Sequence, residues 1–186
     1  MTTTLVFLAG MVVMSALLWA MARYLTGFQA QKTSDYPTGR PFDIREHLDG
    51  RMVCEGVLYG PLGRVVTRFV ADFEGTWEGN KGRLRESFRY DSGSTQDREW
   101  TLTTHNDGTF DALASDLAGP GTGVMDGSAV RLSYRIKLPE SGGGHELDAT
   151  DWMYLLDNGT IVNRSQLSKF GIKVAELVAT IRKVDA

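Results

Sequence analysis

Four charged residues fall in step with apolar neighbours: Glu86 between Leu84 and Phe88, Arg98 two before Trp100, Asp116 two after Ala114, and Arg164 two after Val162. In an extended chain, residues two apart share a face. Each charge would therefore project from an apolar surface, where an unpartnered charge is costly. Arg98 and Arg164 either neutralise Glu86, Asp116 or Asp151 in a structural network, or hold an anionic head group. In the second case the polar residues clamp the head of an amphipathic molecule. Trp77, Trp100 and Trp152 would line the apolar part, each offering a wide ring and one N–H donor. The same residues admit an enzyme, with Asp116 or Glu86 as a desolvated acid/base group.

Other chemistries find less support. His47, His105 and His145 lie far apart, near turns or element ends, without ligand spacing. They read as surface residues, and no metal site is expected. Cys54 is the only cysteine, which excludes an intramolecular disulfide and a cysteine metal site. Gly119-Pro120-Gly121-Thr122-Gly123 could suggest a phosphate loop, but a strand pattern follows where a helix would be needed. There is no nucleophile-elbow sequence, and no cofactor is implied. Asn158-Gly159-Thr160 matches a glycosylation acceptor, but turn formation explains it. The net charge of −3 argues against nucleic acid as a partner.

The elements that must carry these residues alternate with period two from Met52 onward. Val65, Thr67, Phe69, Ala71, Phe73 and Trp77 oppose Arg68, Asp72, Glu74 and Glu78, with a bulge expected at Gly75. Leu84–Tyr90, Arg98–Leu102 and Phe110–Asp116 continue the pattern, separated by turns at Gly79–Gly82, Asp91–Ser94 and Asn106–Gly108. Val130, Leu132, Tyr134, Ile136 and Leu138 give one more face, and Ser141–Gly144 a flexible loop. Glu146–Leu156 and Thr160–Phe170 read as a hairpin turning at Asn158-Gly159 through a primed turn. Ile172–Lys183 is the last strand. Eight to ten antiparallel strands joined by short turns predict an all-β, up-and-down, lipocalin- or calycin-like barrel over 42–186, able to enclose one small ligand.

The segments Arg64-Val65, Phe69-Val70, Gly75-Thr76-Trp77, Phe88-Arg89-Tyr90, Arg98-Glu99-Trp100, Gly119 with Gly123, Asp151-Trp152-Met153-Tyr154-Leu155, Asn163-Arg164 and Lys169-Phe170-Gly171 resemble, in order and spacing, a bacterial family named domain of unknown function 3833. The resemblance covers roughly Phe42 to Lys183. It implies a calycin-like barrel in the bacterial envelope and no established activity. Many members are lipoproteins with a cysteine after the signal peptide. This chain has none there, so lipid modification does not carry over.

Residues 1–23 form a hydrophobic helix. The uncharged run Leu5–Ala22 spans about 27 Å as a helix, close to the hydrocarbon thickness of a bilayer. It reads as an uncleaved single-pass anchor and makes the membrane a partner. The rival is a signal peptide cut after Ala20-Met21-Ala22, though the leader Met1–Thr4 has no Lys or Arg. Residues 24–41, with Gly27, Pro37, Gly39 and Pro41, read as a linker. Asp43 with Glu46 starts a short helical turn ended by Gly50. Arg23, Lys32 and Arg40 favour a cytoplasmic barrel by the positive-inside rule. The family resemblance favours the periplasmic side of the inner membrane, and that side is taken here. Three readings follow: a tethered carrier for a lipid or other amphipathic small molecule, a structural envelope protein with a filled core, or an enzyme.

Overall fold

The computed structural model describes residues 2–24, 27–139 and 143–184. Ten antiparallel strands close into one barrel, each bonded to its neighbours in sequence. They are β1 (Gly50–Tyr59), β2 (Val65–Glu78), β3 (Lys81–Tyr90), β4 (Thr95–Thr104), β5 (Thr109–Leu113), β6 (Gly121–Asp126), β7 (Ala129–Lys137), β8 (Glu146–Leu155), β9 (Ile161–Lys169) and β10 (Ile172–Lys183). The barrel closes by pairing β1 with β10, from Met52 opposite Lys183 to Tyr59 opposite Glu176. The expected up-and-down barrel is thus observed, and closure leaves no open sheet edge. Ser141 and Gly142 of the expected Ser141–Gly144 loop lie outside the described residues.

One end of the barrel is shut. Helix α1, Thr2–Tyr24, precedes the barrel, and its segment Thr3–Met21 is long and apolar enough to cross a membrane. Helix α2, Ile44–His47, lies across the barrel end formed by the β2–β3, β4–β5, β6–β7 and β8–β9 turns. Asp43 caps α2 by accepting from the Arg45 amide. Phe42, Ile44 and Leu48 sink into the core. His47, expected at the surface, is buried here, with Nδ1 2.9 Å from the Asp43 carbonyl.

Gly75 shows why the helix fits. A Cβ there would stand 1.8 Å from the Leu48 carbonyl oxygen. The β2–β3 register runs unbroken through Gly75 opposite Leu84, so the expected bulge is absent. Gly75 is needed for close approach of backbone, not for bending. The register shifts occur instead at Leu58/Tyr59 and Lys173/Ala175.

The β8–β9 hairpin forms as expected, but by a different turn. Only Gly159 has positive φ, at 82°, and the Gly159 amide donates to the Leu156 carbonyl while the Leu156 amide donates to Thr160. This is a three-residue loop ending in a glycine bulge, not a two-residue primed turn. Two successive positive φ values occur instead at Phe170 (52°) and Gly171 (77°), between β9 and β10.

The stretch expected as a linker packs against the barrel from Phe28 onward. The Arg164 guanidinium lies 5.2 Å from the Phe28 ring. Tyr36 meets Trp152 and Tyr154 edge-on at 6.0 and 5.1 Å. The Tyr36 and Tyr154 hydroxyls both donate to the Gln31 side-chain oxygen. The Tyr36 carbonyl accepts from the Ser128 amide at the β6–β7 turn, so the strap runs down the barrel to its closed end.

Candidate functional site

The barrel encloses a cavity of about 260 Å³. Its lower wall is apolar, from Ile44, Leu48, Phe73, Leu102, Phe110 and Ile181. Higher up, β3, β4, β7, β8 and β9 each turn a polar side chain inward: Glu86, Arg98, Tyr134, Asp151 and Ser165. The far end is ringed by Leu58, Tyr90, Gln96, Ile136, Leu167 and Leu177, none of them fully buried, and forms the mouth.

The polar group is built by register. Glu86 and Arg98 are directly opposite across β3 and β4, as are Leu84 and Trp100 one step below on the same face. Arg98 Nε donates to Asp116 Oδ1 at 3.1 Å. The guanidinium sits 3.9 Å from the Trp100 ring centre and 5.5 Å from that of Tyr134, a stacked cation–π arrangement. Trp100 and Tyr134 meet edge-on at 5.3 Å. The Tyr134 hydroxyl stands between Arg98 and Asp151, within reach of both.

Electrostatics follow from depth. Burial pushes the Glu86 carboxyl up to about 7, against the opposing pull of Arg98 and an indole hydrogen bond from Trp100. Burial raises Asp151 too, with Ser165, Arg98 and Tyr134 opposing. The Cys54 thiol, on the same wall, is pushed up to about 12 by burial. Arg98, Tyr134 and Asp151 keep some exposed surface although they lie deep, because that surface faces the cavity. Two atoms there have no hydrogen-bond partner among the described residues: Arg98 Nη2, a donor, and Asp151 Oδ1, an acceptor. Buried polar atoms are seldom left so.

Four of the seven expected site residues meet at the cavity: Glu86, Arg98, Trp100 and Asp116. Three do not. Trp77 lies at the shut end, its indole donating to the Leu48 carbonyl at 3.2 Å and its ring over Gly82. Trp152 is on the outer face, 1 % exposed because the strap covers it, and stacked on Tyr154. Arg164 also points outward, where it pairs with Glu176 at 2.6 Å. Sequence reasoning left Asp151, Tyr134 and Ser165 out of the candidate site, although it put Tyr134 on the apolar face of its strand and Asp151 among the carboxylates that Arg98 or Arg164 could neutralise. Their signal was the alternation Ala149, Asp151, Met153, which is masked because Trp152 is apolar on the opposite face.

Three carboxylates and one guanidinium therefore line the cavity. Such a site suits a group that both accepts from Arg98 and donates to Asp151. A second anion would meet Glu86 and Asp151 with only Arg98, already engaged by Asp116, to balance it.

The sequence model of a family described as protein of unknown function (DUF3833) matches residues 22–183. No protein of curated function matches the chain. Among solved structures, the S-type phycobiliprotein lyase CPES from Guillardia theta is similar at 11% identity and TM-score 0.57, covering 77% of this chain and 92% of that one. Rv2717c from M. tuberculosis is similar at 12% identity and TM-score 0.53, covering 75% of this chain and 94% of that one. At these identities the likeness is one of fold.

Proposed function

The chain belongs to the DUF3833 family, and from that starting point we propose that it is a membrane-tethered carrier whose barrel holds one amphipathic small molecule with an uncharged, hydrogen-bonding head. The observation that carries this reading is a pair of buried, unpartnered polar atoms, Arg98 Nη2 and Asp151 Oδ1, on two residues that line the same cavity above an apolar floor. A hydroxyl or amide satisfies both at once, since it donates and accepts. The apolar part of the ligand lies against Phe73, Leu102, Phe110 and Ile181. Helix α1 supplies the tether, in a bacterial inner membrane with the barrel on the periplasmic side.

Displacement of a fluorescent amphiphile tests the head-group chemistry. A medium-chain monoacylglycerol should compete better than the fatty acid of equal length. Asp151→Leu should erase that preference. Equal competition by both, with no effect of Asp151→Leu, would remove the polar group from the binding account. An enzyme reading has one specific support: Glu86 titrates near neutrality, where a general acid or base works best. It requires that Glu86→Gln abolish turnover of a bound ester or amide while leaving its binding intact.

A further inference from the structure

The five turns at the mouth differ from those at the shut end. Leu62, at the β1–β2 tip, and Phe170, at the β9–β10 tip, are each 91% exposed. Val65, Val66 and Ile172 beside them are also exposed. At the shut end the turns offer little of the kind, with Leu156 at 44%. Because β1 pairs with β10, the two apolar tips are neighbours on one side of the mouth.

Phe170 adds a second anomaly. It holds φ at 52°, a left-handed conformation that bulky residues rarely adopt. Asn or Gly would fill the position without that cost. This aromatic residue is both strained and exposed. Its one ring contact among the described residues is with the Lys169 ammonium, 5.7 Å from its ring centre, a weak gain at an exposed site. Such outliers point to function. The charges nearest the tips are basic, although Arg68 pairs with Asp91 of the β3–β4 turn and Lys173 with Glu176. Arg64 and Lys169 have no ion-pair partner among the described residues, and no Asp or Glu lies between Tyr59 and Val70 or between Leu167 and Ala175. Apolar tips flanked by basic residues are the chemistry of insertion into an anionic bilayer surface.

The tether restricts the geometry. Helix α1 ends at Tyr24, and Phe28 is already fixed beside Arg164 on the barrel wall. Four residues reach at most about 14 Å. Arg164 stands five residues below the end of β9 at Lys169. With strands tilted as in other barrels, that is a rise of about 13 Å along the axis. The tether is long enough to bring the mouth to the membrane and too short to let the barrel stand away from it. It would reach with either end, and the apolar tips choose the mouth.

We infer that the Leu62 and Phe170 tips insert into the bilayer that α1 spans, so that the cavity opens onto the lipid surface. This rests on the tethered-carrier reading and adds the route by which its ligand enters. The ligand then passes between membrane and cavity without crossing water.

The test uses the full chain reconstituted in vesicles of phosphatidylethanolamine and phosphatidylglycerol. Cys54 is buried, so a thiol-reactive NBD label goes to an introduced cysteine. Labels at Phe170→Cys and Leu62→Cys should show blue-shifted emission and quenching by nitroxide-bearing lipid. A label at Leu156→Cys should remain in water. Replacing both Leu62 and Phe170 by Ser should weaken insertion, read from a label at Val66→Cys, by about a hundredfold, since each large apolar side chain contributes about tenfold or more on burial. Water-like emission at both tips, or equal quenching at Leu156, would overturn the inference. Amphiphile binding is measured on the same vesicles. Wet tips with binding retained would remove the docking and leave the carrier. Inserted tips without binding would uphold the docking and remove the carrier.

Discussion

Glu86 should make the barrel lose stability as pH rises through neutrality. The side chain is 8% exposed, faces the cavity, and is pushed from an ordinary 4.5 up to about 7, chiefly by burial. The folded state therefore holds this proton more tightly than the unfolded chain. Between those two pH values it binds more protons, and stability falls as pH rises. The stabilisation is fully present below about pH 4.5 and is gone above about pH 8. The gap corresponds to about 3 kcal/mol, at about 1.4 kcal/mol for each pH unit. Asp151 is pushed the same way and adds to the slope, so the comparison must be with Glu86→Gln, which keeps the volume and the oxygen that accepts from Trp100. Urea denaturation of both proteins across this range is the assay. Glu86→Gln should gain about 3 kcal/mol on the parent between the acid and alkaline ends. Parallel curves would show that Glu86 binds its proton no more tightly in the folded barrel than in the unfolded chain, and the desolvation argument would fail.

Other substitutions test other parts. Gly75→Ala must displace the Leu48 carbonyl from van der Waals overlap, and should lower stability by several kcal/mol in chemical denaturation. Gly159→Val should cost about 1–2 kcal/mol by the same measure, because a β-branched residue resists a φ of 82°. Arg98→Met leaves Asp116 without its partner and should destabilise by about 3 kcal/mol, while Arg164→Met, on the outside and half exposed, should change the midpoint little. Replacing Val13 and Leu17 with Arg should move the chain out of the membrane fraction, each central charge costing about 2.5–3.5 kcal/mol. A mature chain that begins at Arg23 by N-terminal sequencing would end the tether.

The barrel was legible because alternation is a direct consequence of the pleat. Leu84, Glu86 and Phe88 against Arg85, Ser87 and Arg89 could face only one way, and the inward position of Glu86 and Arg98 followed. The same rule failed on β8 and β9. Polar and apolar residues are mixed on both faces there. Trp152, Tyr154 and Val162 lie outward, where the strap from Phe28 to Arg40 covers the wall, while Asp151, Asn163 and Ser165 face in, so Val162 and Trp152 gave no sign of being outward. A slip of one residue exchanges the faces. It put Arg164 inside and left Asp151, the residue with the free acceptor, out of the expected site. Trp77 failed for a different reason. It has inward parity, but β2 runs past the cavity, and α2 fills that end. The closure by α2 depends on a glycine letting two backbones touch, which no periodicity records.

Native mass spectrometry of the full chain, released from detergent micelles, is the most direct test of the carrier account. The parent protein should retain one amphiphile of defined mass. Ser165→Trp, which fills the cavity from β9, should fold with unchanged circular dichroism and fly without it. The bare mass for the parent, or the same adduct on the filled barrel, would contradict a ligand held in the cavity.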